Sequence, residues 1–331
     1  MRLSASSIDV LATWPSPETN EFAQMVLEKA GRTCYQSEKG PITPETAQGF
    51  CERILKRGHF SVLEHGWRGY NIYPFRDSDL ILLMKIYWPY LKFMFLTFND
   101  NSLIISANLE TWRKLYVANK LDPEIRDDLE KFCPAFFRSG PQPKISMFNS
   151  EIVPISREDQ LLGVKDKAVH IAHTVRYSGF SRGFTHEFVR HRVAVYSQES
   201  TRYVDESELV VVLPPHRDVE SEESGITPLK MMETYQKFYS DLIKNNKWRR
   251  EDARQFLPIG IVSQVVMSTN LEERIWIYRK RTDPAAHWEI RPAMVRDLKI
   301  FKERYPDVFK YFSVEGDDIK YNGPTEHFIY D

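Results

Sequence analysis

The densest run of chemistry-bearing side chains is Arg190-His191-Arg192-Val-Ala-Val-Tyr196-Ser197-Gln198-Glu199-Ser200-Thr201-Arg202-Tyr203. Three arginines, a histidine, two serines, Gln198 and Glu199 crowd into it, a set that is costly to bury unless ligands satisfy it. Arginine's planar fork binds phosphate two-handed and keeps its charge at any useful pH, so the run suits a phosphorylated ligand. A solvated charged face accounts for the composition equally well. Upstream, His59, Ser61, Glu64 and His65 lie among Phe60, Val62 and Leu63. That is an odd place to spend two imidazoles and a carboxylate, although hydrogen-bonded core histidines are the plainer account of His59 and His65. Arg254 and Arg281 add fixed positive charge further along.

These groups need elements to hold them. Glu21 to Ser37 and Pro44 to Arg57 read as amphipathic helices, the second opened by Thr43 as N-cap with Pro44 at its first position and ended by Gly58. From Gly66 to about Lys165 the character changes. Strand-like runs (Leu91 to Phe98, Leu103 to Ser106) lead to a helical pattern around Thr111 to Val117 and then a mixed-charge stretch from Leu121 to Gln160. No linker encloses this region, so residues 74–167 read as an insertion within one domain spanning 1–331. Ala168 to Tyr177 reads as a strand, and Gly179 to Gly183 as the turn into a helix carrying Glu187, Arg190, His191 and Arg192. Leu209 to Leu213 reads as a strand stopped by Pro214 and Pro215. The C-terminal third is helical: a long helix from Thr227-Pro228 to about Asn245, a short one over Arg250 to Phe256, and N-caps at Asn270 and Asp283. Ser106-Ala-Asn108-Leu-Glu110 echoes Ser268-Thr-Asn270-Leu-Glu272. So short a match is explained by a shared N-cap without a duplication.

The arginine run resembles the signature of the flavin-dependent thymidylate synthases (the ThyX family): Arg-His-Arg, seven residues, Ser, then x-Arg-Tyr. Arg190, His191, Arg192, Ser200, Arg202 and Tyr203 fit it. Gly58 to His65 is similar to the family's Gly-His-x-Ser/Thr-x-x-Glu-His segment. Arg254-Gln-Phe-Leu257-Pro258, Asn270 and Arg281-x-Asp283-x-x-Ala286 are similar to its C-terminal nucleotide block.

The resemblance implies an α/β (α+β) fold with a twisted, largely antiparallel sheet flanked by helices, assembled as a homotetramer with active sites shared between subunits. It implies FAD held by His59, Ser61, Glu64, Arg190, His191, Arg192 and Asn270. It implies dUMP held by Glu187, Gln198, Ser200, Arg202, Arg254 and Arg281, with Ser200 and Arg281 acting on the ring. The reaction implied is reductive methylation of dUMP to dTMP, with methylenetetrahydrofolate as one-carbon donor and NADPH as reductant. Several positions depart from the pattern. Val195, Ser197 and Gln198 replace a family Ser-x-Asn-Glu, leaving Glu199 as the nearby carboxylate; Glu187 stands where glutamine is common; Glu272 stands where an arginine is common, and takes no binding role.

Other classes are disfavoured by composition. With 45 Lys+Arg against 46 Asp+Glu in 331 residues, no whole-protein field attracts nucleic acid or an anionic membrane, so a nucleic-acid-binding protein is the remote alternative. A relative acting on another pyrimidine nucleotide, such as UMP, is the nearer one. The longest apolar runs are too short and interrupted to span a bilayer, and the expected location is cytoplasmic. Three widely spaced cysteines, Cys34, Cys51 and Cys133, argue against a disulfide framework, a zinc cage and a catalytic thiolate. The chain has neither Gly-x-Gly-x-x-Gly nor a phosphate loop.

Overall fold

A computed structural model describes residues 2–16, 20–37, 40–138, 148–221 and 225–324. After β1 (Arg2–Leu3) and β2 (Ser7–Trp14) come α1 (Asn20–Tyr35) and α2 (Pro44–Arg57), a 3-10 turn over Phe60–His65, and β3 (Trp67–Tyr73). Then follow α3 (Asp77–Tyr87), a 3-10 turn over Trp88–Phe93, β4 (Met94–Asn99), β5 (Ser102–Asn108), α4 (Leu109–Val117), α5 (Pro123–Phe132) and β6 (Glu151–Ile155). The next stretch holds α6 (Val164–His170), β7 (Ala172–Ser181), α7 (Arg182–Phe188), β8 (Val195–Gln198) and β9 (Val210–Val211). Last are α8 (Pro228–Lys244), α9 (Arg250–Ala253), β10 (Val262–Asn270), α10 (Leu271–Arg281), α11 (Ile290–Arg304), β11 (Phe312–Glu315) and β12 (Asp318–Tyr321).

Helices and antiparallel sheet make a mixed fold, as expected, but the strands form two large sheets and not one. The first has the order β2-β7-β10-β8 and the second β4-β5-β3-β6, all antiparallel. Two minor pairs complete the set: β1 with β9, which is parallel, and the hairpin β11-β12. The 74–167 stretch is therefore built structure. Its β4, β5 and β6 surround β3, and residues 139–147 within it lie outside the described residues. Among the described residues no helix is long and apolar enough to cross a membrane.

Two apolar cores pack against the sheets, each drawn mainly from one of them, with Trp14 of β2 and Ile104 of β5 reaching the opposite core. Trp14, Leu27, Leu63, Trp67, Tyr70 and Trp112 are buried in one, and Val175, Tyr177, Phe184, Met267, Ile275 and Phe301 in the other. Each fully buried Leu, Ile or Phe contributes about 1.5–3 kcal/mol relative to exposure. Between the cores runs a polar seam. The His65 ring sits 2.8 Å from Ser268 Oγ through Nδ1 and 2.8 Å from Ser197 Oγ through Nε2. His170 does the same, with Nδ1 2.8 Å from Ser106 Oγ and Nε2 2.9 Å from Thr97 Oγ1. Burial pushes both imidazoles down to about 3, so each is neutral, donating through one nitrogen and accepting through the other.

Local chemistry sets the helix ends. Thr43 and Thr46 form a reciprocal capping box at the start of α2, and Gly58 closes it in the left-handed region at φ 71°. Gly179 (φ 78°) precedes α7, and a Cβ there would lie 2.2 Å from Ala5 O, so only glycine fits. Some boundaries differ from the sequence reading. The strand expected from Ala168 starts at Ala172, because Gly163 caps the short helix α6 first. Leu91 to Phe93 belong to a 3-10 turn with Pro89 near its start, and only Met94 onward is strand. Of Leu209 to Leu213, only Val210–Val211 is strand. Asp283 caps no helix; it accepts from Ala285 N at 2.8 Å in a tight turn, and α11 begins at Ile290.

Candidate active site

Helix α7 ends at Phe188, so Arg190, His191 and Arg192 lie in the turn beyond it and not on the helix. There Arg190 and Arg192 are exposed while His191 is buried. The strand β10 delivers Asn270, whose Oδ1 accepts from Glu273 N at 2.9 Å and starts α10, and α10 ends at Arg281. Arg281 turns its Nε to His191 Nε2 (3.1 Å), its Nη1 to Glu187 Oε2 (2.7 Å) and its Nη2 to Glu187 O (3.0 Å). Three of the five N–H donors of this guanidinium are spent on orientation.

His191 must accept through Nε2, which places its proton on Nδ1, facing Glu273 Oε1 at 3.8 Å. Burial first, then the charges of Arg281 and Arg190, push His191 down to about 4. Burial, with Glu272 second, raises Glu273 to about 7. The result is a connected set, Glu273, His191, Arg281 and Glu187, in which a neutral imidazole holds a cation in place. Arg281 and Glu187 line an open cavity of about 540 Å³ together with Arg279, Lys280, Asp283 and His287.

A second cavity, about 190 Å³, lies against α7 and is lined by Arg182, His186, Thr201, Arg254, Leu257 and Pro258. Arg254 and Arg281, expected to share one ligand, thus line different cavities of the single chain. Near the second cavity, Arg202 pairs with Glu251 at 3.2 Å, and Ser200 Oγ accepts weakly from Arg202 N at 3.4 Å. Gln198 donates to Thr185 Oγ1 at 2.7 Å. Glu199 does not face solvent beside these groups. It is buried and its carboxyl is raised by burial, with Gln36 and Arg182 opposing. Its hydrogen-bonded neighbour Glu206 is raised to about 7 by burial and then by Glu199.

The upstream segment splits. His65 is the core histidine of the seam, whereas His59 and Ser61 are exposed and Glu64 half-buried. Burial raises Glu64, with Lys114 opposing. Among the described residues no hydrogen bond or ion pair joins His59, Ser61 or Glu64 to Arg190, His191 or Arg192, although the seam seats their segment against β8. Asn270 is 1% exposed and uses both amide ends on the protein, the second as a 3.0 Å bond to Val169 O, so its observed part is to anchor α10. Sequence reasoning missed Arg182, which lines the second cavity, and Glu206 and Glu273, since nothing in the local pattern of the two glutamates announces their burial. Burial raises all three cysteine thiols, Cys133 to about 12, which disfavours a thiolate nucleophile.

The family described as thymidylate synthase complementing protein matches residues 163–307. The flavin-dependent thymidylate synthase of Clostridium tetani is 31% identical over 157 residues, covering 43% of this chain and 63% of that one. The corresponding protein of Nitratidesulfovibrio vulgaris is 30% identical over 166 residues, covering 48% of this chain and 67% of that one. The chain belongs to the flavin-dependent thymidylate synthase family. A crystal structure of thymidylate synthase X (ThyX) from Helicobacter pylori with FAD and dUMP aligns at 18% identity with a TM-score of 0.36, over 44% of this chain and 74% of that one. The chain spans less than two thirds of the first relative's length. In this member of the flavin-dependent thymidylate synthase family, the matched residues run from α6 through α11 and contain the whole Glu273, His191, Arg281, Glu187 set.

Proposed function

We propose that the protein is a flavin-dependent thymidylate synthase converting dUMP, methylenetetrahydrofolate, NADPH and a proton to dTMP, tetrahydrofolate and NADP+. The observation that carries this reading is Arg281, fixed by His191 and Glu187 at the rim of an open cavity in a chain with no excess of positive charge. Pre-oriented guanidinium donors of this kind stabilise charge developing on a bound ring without reorganising.

The donor set fits the cofactor: Arg190 and Arg192 are exposed cations suited to a diphosphate, and neutral His191 adds no further charge beside them. His59, Ser61, Glu64, Arg190, His191 and Arg192 would hold FAD; Asn270 would position α10 beneath it. When bound and reduced, FAD supplies the hydride that completes the methyl group. Glu187, Gln198, Ser200, Arg202, Arg254 and Arg281 would orient dUMP. Arg281 polarises a uracil carbonyl so that C5 becomes nucleophilic without a thiolate, and Ser200 orients the ring. Glu187 releases part of its hold on Arg281 as the ligand arrives.

The separation of Arg254 from Arg281 within one chain supports a site completed between subunits of a homotetramer; the proposed location of the enzyme is the cytoplasm. The test is the absorbance spectrum of purified protein reconstituted with FAD, followed by NADPH oxidation and dTMP formation with dUMP, with UMP, and with neither. A flavin spectrum with dTMP formed from dUMP is expected. A colourless protein that makes no dTMP overturns the reading, and methylation of UMP in preference to dUMP replaces the substrate.

A further inference from the structure

The two four-stranded sheets are the same object twice. Read as β4-β5-β3-β6 and β8-β10-β7-β2, they have one strand order, and their registers coincide up to bulges between Val10 and Ala12 and between Ser263 and Val265. Trp67 faces Asn108 as Ala172 faces Asn270. Thr97 faces Ile104 as Ser197 faces Val266. Tyr70 faces Pro154 as Val175 faces Val10. The helix that follows each central strand begins alike: Asn108 Oδ1 accepts from Thr111 N at 2.9 Å, Asn270 Oδ1 from Glu273 N at 2.9 Å, and the next residues bond back as Leu109 N to Gly66 O and Leu271 N to Ile171 O.

A shared capping solution explains the two asparagines and nothing more. It does not explain the seam, where His65 holds the hydroxyls of Ser268 and Ser197 through the same ring nitrogens by which His170 holds those of Ser106 and Thr97. Under the register match, His65 corresponds to His170, Ser268 to Ser106, and Ser197 to Thr97. Each histidine thus reaches across to the other sheet's equivalents of its twin's partners, which is the signature of a pseudo-twofold axis. The first strands obey the same rule. Strand β2, ahead of the first set, is added to β7 of the second; β6, ahead of the second set, is added to β3 of the first. The echo around Asn108 and Asn270 is therefore more than a cap, and the 74–167 stretch is more than an inserted loop.

We infer that the chain is a tandem of two equivalent units with exchanged first strands, and that the two units have divided a single flavin-nucleotide site between them. The division is read from what each lacks. Val195 of β8 corresponds to Phe95 of β4, so Arg190-His191-Arg192 in the second unit corresponds to Tyr90-Leu91-Lys92 in the first. Conversely, Gly58 and His65 of the first unit correspond to Gly163 and His170, but Val164, Asp166 and Val169 stand where His59, Ser61 and Glu64 would be. The first unit keeps the histidine segment and has no arginine turn; the second keeps the arginine turn and has no histidine segment. One complete complement of side chains remains per chain, where two intact units would carry two. This inference rests on the flavin reading for its ligand, but the duplication stands on the geometry alone.

Two measurements test the two parts separately. Protein saturated with FAD and desalted is expected to retain one FAD per chain; two per chain would overturn the division while leaving the proposed function intact, and none would overturn both. His59→Ala and Arg190→Ala are each expected to weaken FAD retention at least tenfold (about 1.4 kcal/mol), because they strip the same site. Lys92→Ala and Val164→Ala, at the corresponding positions of the other unit, are expected to leave it unchanged, and a loss in either would overturn the division. In FAD-free protein, His65→Ala and His170→Ala are expected to lower the melting midpoint by several degrees and by matched amounts. Ser197→Ala and Thr97→Val provide the milder matched pair. A pair in which one member is silent and the other unfolds the protein would overturn the equivalence.

Discussion

The sheet containing β10 and the sheet containing β5 share an order and a register, yet they have taken opposite routes around that frame. Ahead of β8 the chain places Arg190 and Arg192 in an exposed turn; ahead of β4 it places Tyr90, Leu91 and Lys92. Beneath the first sheet a fully buried ion pair, Arg274 Nη1 to Asp297 Oδ2 at 2.6 Å, is clasped by Tyr177 and Tyr278 hydroxyls at 2.9 and 2.8 Å. Beneath the second, Arg68 and Tyr70 meet Asp128 at 2.7 and 2.9 Å, but Asp128 stays 17% exposed. The difference teaches that a strand frame fixes where side chains emerge and leaves open what they do. The sheet whose strand β10 leads into α10 and Arg281 is also the one with the drier polar support.

That contrast can be broken most sharply at the two carboxylates. Asp297→Ala would leave the Arg274 guanidinium buried without a counter-charge and should destabilise by about 3–5 kcal/mol. Asp128→Ala, where water can reach, should cost roughly 1–3 kcal/mol. Urea unfolding of the two variants decides it, and equal losses would erase the distinction. Next in size, Arg281→Ala should lower turnover of dUMP about a hundred- to a thousand-fold, the usual cost of removing one pre-oriented donor, with bound FAD retained. Lys120→Ala, just past the corresponding helix α4, should leave turnover unchanged, as steady-state assays of both would show.

Titration sharpens the comparison further. His65 and His170 sit near 3 when folded against an ordinary 6.5, so the stability they contribute is complete above pH 6.5 and is lost as pH falls toward 3. Glu206 and Glu273, near 7 against an ordinary 4.5, run the other way: their contribution is complete below pH 4.5 and is lost as pH rises through 7. Glu206→Gln should therefore gain roughly 1–3 kcal/mol over the parent above pH 7 and little near pH 4.5. Melting midpoints across pH 4 to 9 would read the crossover. The smallest effect belongs to Arg202→Ala. Its exposed pair with Glu251 is worth at most about 1 kcal/mol of stability, so any larger consequence should appear in the KM for dUMP and not in the melting curve.

Much of this was legible in residue order where the cause is local. Thr43, Pro44 and Gly58 bound α2 as their chemistry requires, and Asn270 caps α10. The Arg190 to Tyr203 run and Arg281 stand out as fixed charge by type alone, but residue type does not separate an anion site from a solvated charged face. What escaped depends on distance. No local pattern tells that His191 will sit under Arg281, ninety positions later, or that Glu199 will turn inward to Glu206. The start of α7 was readable from Gly179 and Ser181, but its end at Phe188 was not, because Val189 to Ala194 keep a helix-compatible composition. The second sheet was missed because β3 pairs with β5 across α3 and β4, and β6 joins β3 from beyond α5.

The pairing of β2 with β7 sets a schedule for the newborn chain. Trp14 hydrogen-bonds Thr174, 160 residues downstream, so the strand Ser7–Trp14 leaves the ribosome with no edge to join. At roughly 5–20 residues per second, it waits about 8–30 s for its partner to be translated. During that interval Ile8, Val10 and Leu11 are open to any passing strand, the exposure that a holding chaperone would cover.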